Sequence, residues 1–481
     1  MISTEKKAEL LKHAEEVFAK IEEYQRLGLI CKSGDFVPSV HYPPITQYDP
    51  CDIDEYFKTY TQPADGLMDV YVHIPFCIQH CTFCHYPGLT GERLAEKTKY
   101  IEYLIREMDL YLQRFGLNSI KPRSILLGGG TPTSLTPALL EHYLTEFDKR
   151  VDQSACKQYN VDLGPNSING DDGTEKCKIM KDHGVTRLTI GIQSLDDHVL
   201  RLMNRPHNSQ AAIESVYKAL DYGFDVNIEF IFGHPGETID NWIEVMEKAV
   251  ALPVTEIQLY RLKVQAYGDF QGVINRFHRG SGEKDIPDFK TTMLMKQIAI
   301  DMLHENGFQD SILRRVYTRD RSVFSHYAYS QCCNQYDQVG FGLTGFSSYR
   351  DRFDINTQSF EEYYQAIDAG RLPINRGLVR SKEEQARWAI VLPLKNRDVR
   401  KAEFKARSGY DFDDVFKTKV ARLKEYGLLE DTGKIVRLTE LGAFVADEVC
   451  EQFNSIPYLP FPREEYAEGP LNPYLNNSLD A

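Results

Sequence analysis

Cys77, Cys81 and Cys84 stand close together in Tyr71-Val-His-Ile-Pro-Phe-Cys-Ile-Gln-His-Cys-Thr-Phe-Cys-His85. Their C-x3-C-x2-C spacing suits three irons of a cubane [4Fe–4S] cluster, because soft thiolates are natural ligands of iron–sulfur centres. Three thiolates leave the fourth iron open to chelation by a small molecule. A structural zinc ion is the alternative; it wants four ligands, and His85 beside Cys84 would have to be the fourth. A second feature is Gly128-Gly-Gly-Thr-Pro-Thr133, where missing Cβ atoms let backbone groups approach a ligand closely. Further polar groups follow later apolar runs: Asp162, Gln193, Arg205 twelve residues beyond Gln193, Glu229 and Lys263. A charged Glu229 on an apolar run needs a partner or a ligand, and the fork of Arg205 suits a carboxylate. His73, His80, His85 and His326 are candidate proton carriers, and no catalytic acid or base is assigned.

These residues must be held by elements of alternating type. Asp69-Val-Tyr-Val-His-Ile is apolar, β-branched and aromatic, which predicts a buried strand ended by Pro75. Predicted helices near 93–115, 137–147, 174–183, 209–222 and 239–251 alternate with predicted strands from Ser124, Tyr159, Arg187, Asp225 and Thr255. Six strands separated by helices imply a parallel sheet with crossovers, hence an α/β fold with its chemistry on the loops after the strands. An amphipathic helix is predicted over 4–27 and a Pro- and Tyr-rich, solvent-exposed linker over 33–66. A bridge and a helix (291–303) follow the sheet, then the Gly-rich, aromatic stretch Gln338–Tyr349. From 381 the chain reads as a small, mostly helical, winged-helix-like module.

Bulk properties narrow the class. The 481 residues are 42% hydrophobic and 26% charged, ordinary values for a globular protein of two or three domains. A net charge of −14 argues against a nucleic-acid partner, which calls for a basic face. No apolar run is long enough to predict a membrane span, and ten scattered cysteines fit a reducing cytoplasm.

The three cysteines with Phe83, followed by the glycine motif, resemble the radical S-adenosylmethionine (SAM) superfamily. Tyr-Val-His-Ile-Pro-Phe-Cys more narrowly resembles its oxygen-independent coproporphyrinogen III oxidase-like group, which includes class C radical SAM methyltransferases. The resemblance implies a partial (β/α)6 barrel over 67–300, preceded by an N-terminal helix and covering segment (1–66). A linking α+β region (301–380) and a C-terminal helical domain (381–481) complete it. It implies a [4Fe–4S] cluster on Cys77, Cys81 and Cys84, with one or two SAM molecules. Tyr71 and Phe83 would pack beside them, and Gly129, Gly130 and Thr131 would hold the amino end of SAM. Asp162 (where the family usually carries Glu), Gln193, Arg205, Glu229 (where the group carries Asp) and Lys263 match its ligand positions. The implied activity is reductive cleavage of SAM to a 5′-deoxyadenosyl radical, fed by a donor such as flavodoxin or ferredoxin. True coproporphyrinogen oxidases carry another cysteine two residues after the third; here that residue is Tyr86. That departure turns the expectation toward radical methyl or methylene transfer to an unsaturated or heteroaromatic carbon. Tetrapyrrole decarboxylation or haem ring opening, and a haem chaperone, are the alternatives.

Overall fold

The computed structural model describes residues 2–38, 40–84, 86–91, 93–263, 286–396, 398–475 and 479. Asp69–Ile74 (β1) is buried along its whole length, the mark of a strand covered on both faces. Beside it lie Ser124–Gly129 (β2), Gln158–Leu163 (β3), Arg187–Gln193 (β4), Asp225–Phe232 (β5) and Glu256–Arg261 (β6), all parallel and in sequence order. Their register runs through apolar partners: Val70 with Ile125, Val161 with Leu188, and Ile228 with both Ile190 and Ile257. This is the expected six-stranded partial barrel, with its crossover helices at Leu94–Phe115, Pro137–Asp148, Gly170–Asp182, Ser209–Asp221 and Ile239–Val250.

Local chemistry sets the helix starts. Thr136, Asn208 and Thr238 accept from the backbone N–H groups of Leu139, Ala211 and Asn241, satisfying donors the first turn leaves open. The helix expected near 174–183 begins earlier, at Gly170, because Asp171 and Asp172 in its first turn complement the helix dipole.

The sheet continues past both ends of the barrel. Gln338–Phe341 runs parallel to β1, with Gly340 opposite Tyr71. The antiparallel strands Phe346–Ser348, Arg352–Asn356 and Ile374–Val379 extend that side. On the other side Val316–Thr318 pairs antiparallel with β6.

The C-terminal region has the expected mostly helical character. Lys382–Lys395, Lys401–Ser408 and Phe412–Glu425 pack with a sheet ordered Asp398–Arg400, Ile435–Leu438, Leu429–Asp431. The N-terminal helix Thr4–Arg26 joins the two cores: Leu10 and Ala14 pack against the barrel, Ile21 and Tyr24 against the C-terminal module. The bridge helix runs over Phe289–Glu305, slightly longer than expected, and most of the bridge itself (264–285) lies outside the described residues. Among the described residues no helix is long and apolar enough to cross a membrane.

Candidate functional site

Each parallel strand delivers its last residues to the same edge of the sheet, where this kind of fold assembles ligand sites. Cys77, Cys81 and Cys84, on the loop after β1, line a cavity of about 1050 Å3. Tyr71, Phe83, Gly129, Gly130, Thr131, Asp162, Gln193, Arg205, Glu229 and Lys263 line it too. Every residue expected to bind metal or cofactor therefore faces one space.

The glycine turn after β2 is a steric requirement. A Cβ on Gly130 would lie 2.7 Å from the carbonyl oxygen of Phe76 and 3.0 Å from Cys77 Sγ. On Gly129, which takes φ +99°, it would lie 2.7 Å from the His73 ring; on Gly128 it would lie 3.1 Å from Asp162 Oδ2. The turn and the cysteine loop thus touch backbone to backbone. The Gly130 N–H donates to the Ile74 carbonyl at 2.9 Å and the Thr131 N–H to that of Phe76 at 2.7 Å.

Arg205 ties the loop to the next strands. Its Nη1 donates to Cys81 Sγ at 3.0 Å and its Nη2 to the Gly191 carbonyl at 2.5 Å, while Nε is buried without a partner. Gln193, at the end of β4, holds φ +70°, a strained backbone for a residue with a side chain, and its buried Oε1 is also unpaired. Burial raises the Cys77 thiol, against the pull of Thr131, and pushes Cys84 up to about 12. Any metal held there must therefore displace protons.

Asp162 and Glu229 form a half-buried acidic pair on the cavity wall. Burial raises both carboxyls, and Asp162 adds repulsion at Glu229, while Arg187 pulls both back. Asp162 accepts from Asn160 Nδ2 at 2.8 Å, and Glu229 accepts from the Tyr260 hydroxyl at 3.3 Å. Behind them Arg187 is locked to Glu256 at 2.7 Å and to Asn160 and Thr189 at 2.9 Å.

The four candidate histidines do not behave alike. His73 is a buried wedge: burial lowers it to about 4, and its Nδ1 lies 2.9 Å from the Tyr71 hydroxyl and 3.3 Å from Thr344 Oγ1. His80 and His326 are not among the cavity-lining residues, and His326 stacks on Phe324 at 4.7 Å. His85 lies outside the described residues. Among the described residues no three His, Cys, Asp or Glu side chains converge on a single-ion site.

Some cavity residues escaped sequence reasoning. His41, packed on Phe353 and Phe346 at 4.3 and 4.9 Å, comes from the segment read only as a linker or cover. Thr344 and Phe346 come from the Gly-rich stretch, whose strand beside β1 was not foreseen. Arg314, Arg315, Cys332 and Lys395 carried no motif signal.

Comparison with known proteins meets this geometry at its centre. Residues 71–249 match the radical SAM superfamily, and residues 381–445 match the HemN C-terminal domain. The chain thus carries a radical SAM domain and a HemN-type C-terminal domain. It is 23% identical to the oxygen-independent coproporphyrinogen III oxidase of Helicobacter pylori, over 90% of this chain and 96% of that one. It is 24% identical to the heme chaperone HemW of Bacillus subtilis, over 80% of this chain and 99% of that one. Coproporphyrinogen III oxidase (HemN) from Escherichia coli shares its fold, with a TM-score of 0.73 at 20% identity over 85% of this chain and 95% of that one.

The cofactors are those of the superfamily, a [4Fe–4S] cluster and SAM. The residues present fit them. Three thiols sit on one loop, a glycine cradle that a single Cβ would fill lies against them, and Gln193 and Arg205 carry unpaired buried polar atoms.

Proposed function

We propose that this radical SAM protein is a tetrapyrrole-directed oxidoreductase of the HemN type. The observation that carries this reading is the size of the shared cavity. At about 1050 Å3 it stands at or above the upper end of the range of roughly 300–1,000 Å3 for small-molecule pockets. There is room for a nucleoside cofactor and a large substrate side by side. Relatives named as coproporphyrinogen oxidase and heme chaperone, similar along most of their length, favour a tetrapyrrole over methyl transfer to a different acceptor.

The residues divide the work. Cys77, Cys81 and Cys84 would hold the cluster, and Gly129, Gly130 and Thr131 the aminoacyl end of SAM. Tyr71, Phe83, Asp162, Gln193, Arg205 and Glu229 would shape the rest of the cofactor's surroundings, with Lys263 further along the wall. When bound, cluster and SAM would supply one-electron reductive cleavage of SAM, releasing methionine and taking a hydrogen atom from the substrate to give 5′-deoxyadenosine. The chain's own part is to aim the substrate and exclude water. Buried aromatic residues such as Tyr71 and the covering residues Val40, His41 and Ile45 serve that end. An external one-electron donor of the flavodoxin or ferredoxin type completes the proposal.

Anaerobic reconstitution with iron, sulfide and SAM, then dithionite and either coproporphyrinogen III or haem, tests it. Tetrapyrrole-dependent 5′-deoxyadenosine together with an oxidised or ring-opened product supports the reading. S-adenosylhomocysteine formed with a non-tetrapyrrole acceptor returns the protein to methyl transfer, and haem binding without SAM turnover makes it a chaperone.

A further inference from the structure

The cofactor leaves one part of the cavity wall unexplained. Lys263, Arg314, Arg315 and Lys395 line it together, although they come from the end of β6, from the turn before Val316–Thr318 and from the last residue of the helix Lys382–Lys395. Asp447 stands behind them. It accepts from Arg314 Nη1 and Nη2 at 2.8 and 2.9 Å and from Arg315 Nη2 at 2.7 Å, and pairs with Lys395 Nζ at 3.2 Å. Asp447 is only 4% exposed and does not line the cavity.

One carboxylate thus serves three cations, Arg314, Arg315 and Lys395. The neighbouring Glu448 is itself raised by burial and by Asp447, and its attraction is spread to Lys296 and Arg261. Within this cluster Lys263, Arg314, Arg315 and Lys395 line the cavity, and Asp447 and Glu448 do not. Cations gathered round one shared carboxylate at a cavity wall favour an anion entering from the cavity side. Burial and the nearby Arg315 bring Lys263 down to about 8, and burial brings Lys395 to about 8 despite Asp447. Arg315 also holds φ +69°, a backbone cost that persists where the surroundings fix a side chain in a working position.

We propose that this wall is a carboxylate-binding subsite for the substrate, in which Arg315, Lys395 and Lys263 receive an acidic side chain while Asp447 fixes the cations from behind. It rests on the tetrapyrrole reading only for which molecule carries the carboxylate.

The test uses the reconstituted holoenzyme under anaerobic conditions. Lys263 and Lys395 are acetylated with an N-hydroxysuccinimide ester and their labelling is measured by peptide mass spectrometry. The protecting probes are coproporphyrin III, its tetramethyl ester, the compact polyanion mellitate, and SAM alone. Coproporphyrin III is expected to slow labelling of both lysines on the order of tenfold, and its ester to leave it unchanged, because only free carboxylates make charge-assisted bonds. Arg315→Gln and Lys395→Met, each checked for native circular dichroism, should each weaken coproporphyrin III binding about tenfold, as expected when a charged partner is lost. Protection by mellitate with no binding of coproporphyrin III keeps the subsite and sinks the tetrapyrrole reading. Coproporphyrin III binding with unchanged labelling does the reverse. Protection by SAM alone, or by none of the probes, overturns the subsite.

Discussion

Two walls of one cavity are built on different principles. The sulfur-and-glycine wall is backbone against backbone, with Gly130 so close to Phe76 and Cys77 that a single methyl group would collide with both. The cationic wall is side chain against side chain, with Arg314, Arg315 and Lys395 converging on Asp447 from distant segments. The first is specified by shape and fails when an atom is added. The second is specified by charge and fails when one is removed. The sharpest break between them is Cys81→Ala. Loss of one of the three thiolates proposed to hold the cluster should abolish 5′-deoxyadenosine formation, a fall of at least about 10³-fold, with the cationic wall and its proposed binding of coproporphyrin III intact. Nucleoside analysis by mass spectrometry reads the outcome, and retained SAM cleavage would contradict the cluster assignment.

Asp447→Asn probes the other wall. Removing the buried counter-charge leaves three partly buried cations facing one another, a loss of about 3–5 kcal/mol for a broken buried pair. Nearby cations hold Asp447 well below the usual carboxylate range, so its contribution is present at neutral pH and lost only as pH falls through that depressed value. Urea denaturation at pH 7.5 should therefore show the full deficit. A variant as stable as the parent would mean that the cluster is not held together by charge.

The two walls also differ in how far they can be read from sequence. The three cysteines fall within eight residues because one loop must wrap one cluster, so their spacing is itself the signal. Gly129, Asp162, Gln193 and Glu229 sit at or near the ends of β2, β3, β4 and β5, and the helix–strand alternation predicts where those ends meet. Arg314, Arg315, Lys395 and Asp447 carry no such regularity, since only tertiary packing of the bridge against the C-terminal module joins them. Gln338–Phe341 was hidden for a related reason. A glycine-containing stretch has weak strand propensity and becomes a strand through pairing with β1.

Gly130→Ala measures how exacting the shape-built wall is. Its Cβ would meet the backbone of Phe76, which cannot swing aside as a flexible side chain could, so the cysteine loop must shift by several tenths of an ångström. Misplacements of about 1 Å cost roughly 10²-fold in rate, and about 10–100-fold is expected here with little change in folding stability. Steady-state formation of 5′-deoxyadenosine checks it. An equivalent loss of stability with normal turnover would place the glycine in the fold and not in the site.

The smallest effect is a titration where the walls meet, at Glu229. Burial and the adjacent Asp162 push its carboxyl up to about 7 in the folded protein, against about 4.3 for an exposed glutamate. Between those values the folded chain holds a proton that the unfolded chain has released, so stability must fall as pH rises through that window and stay reduced above it. Glu229→Gln carries no charge to bury and also removes one source of repulsion at Asp162. In cofactor-free protein the variant should match the parent near pH 4 and exceed it by about 1–3 kcal/mol at pH 8, the gain opening between those limits. Urea midpoints across pH 4–8 decide it. A difference independent of pH would mean that Glu229 stays ionised in the folded state, with Tyr260 and Arg187 enough to hold its charge.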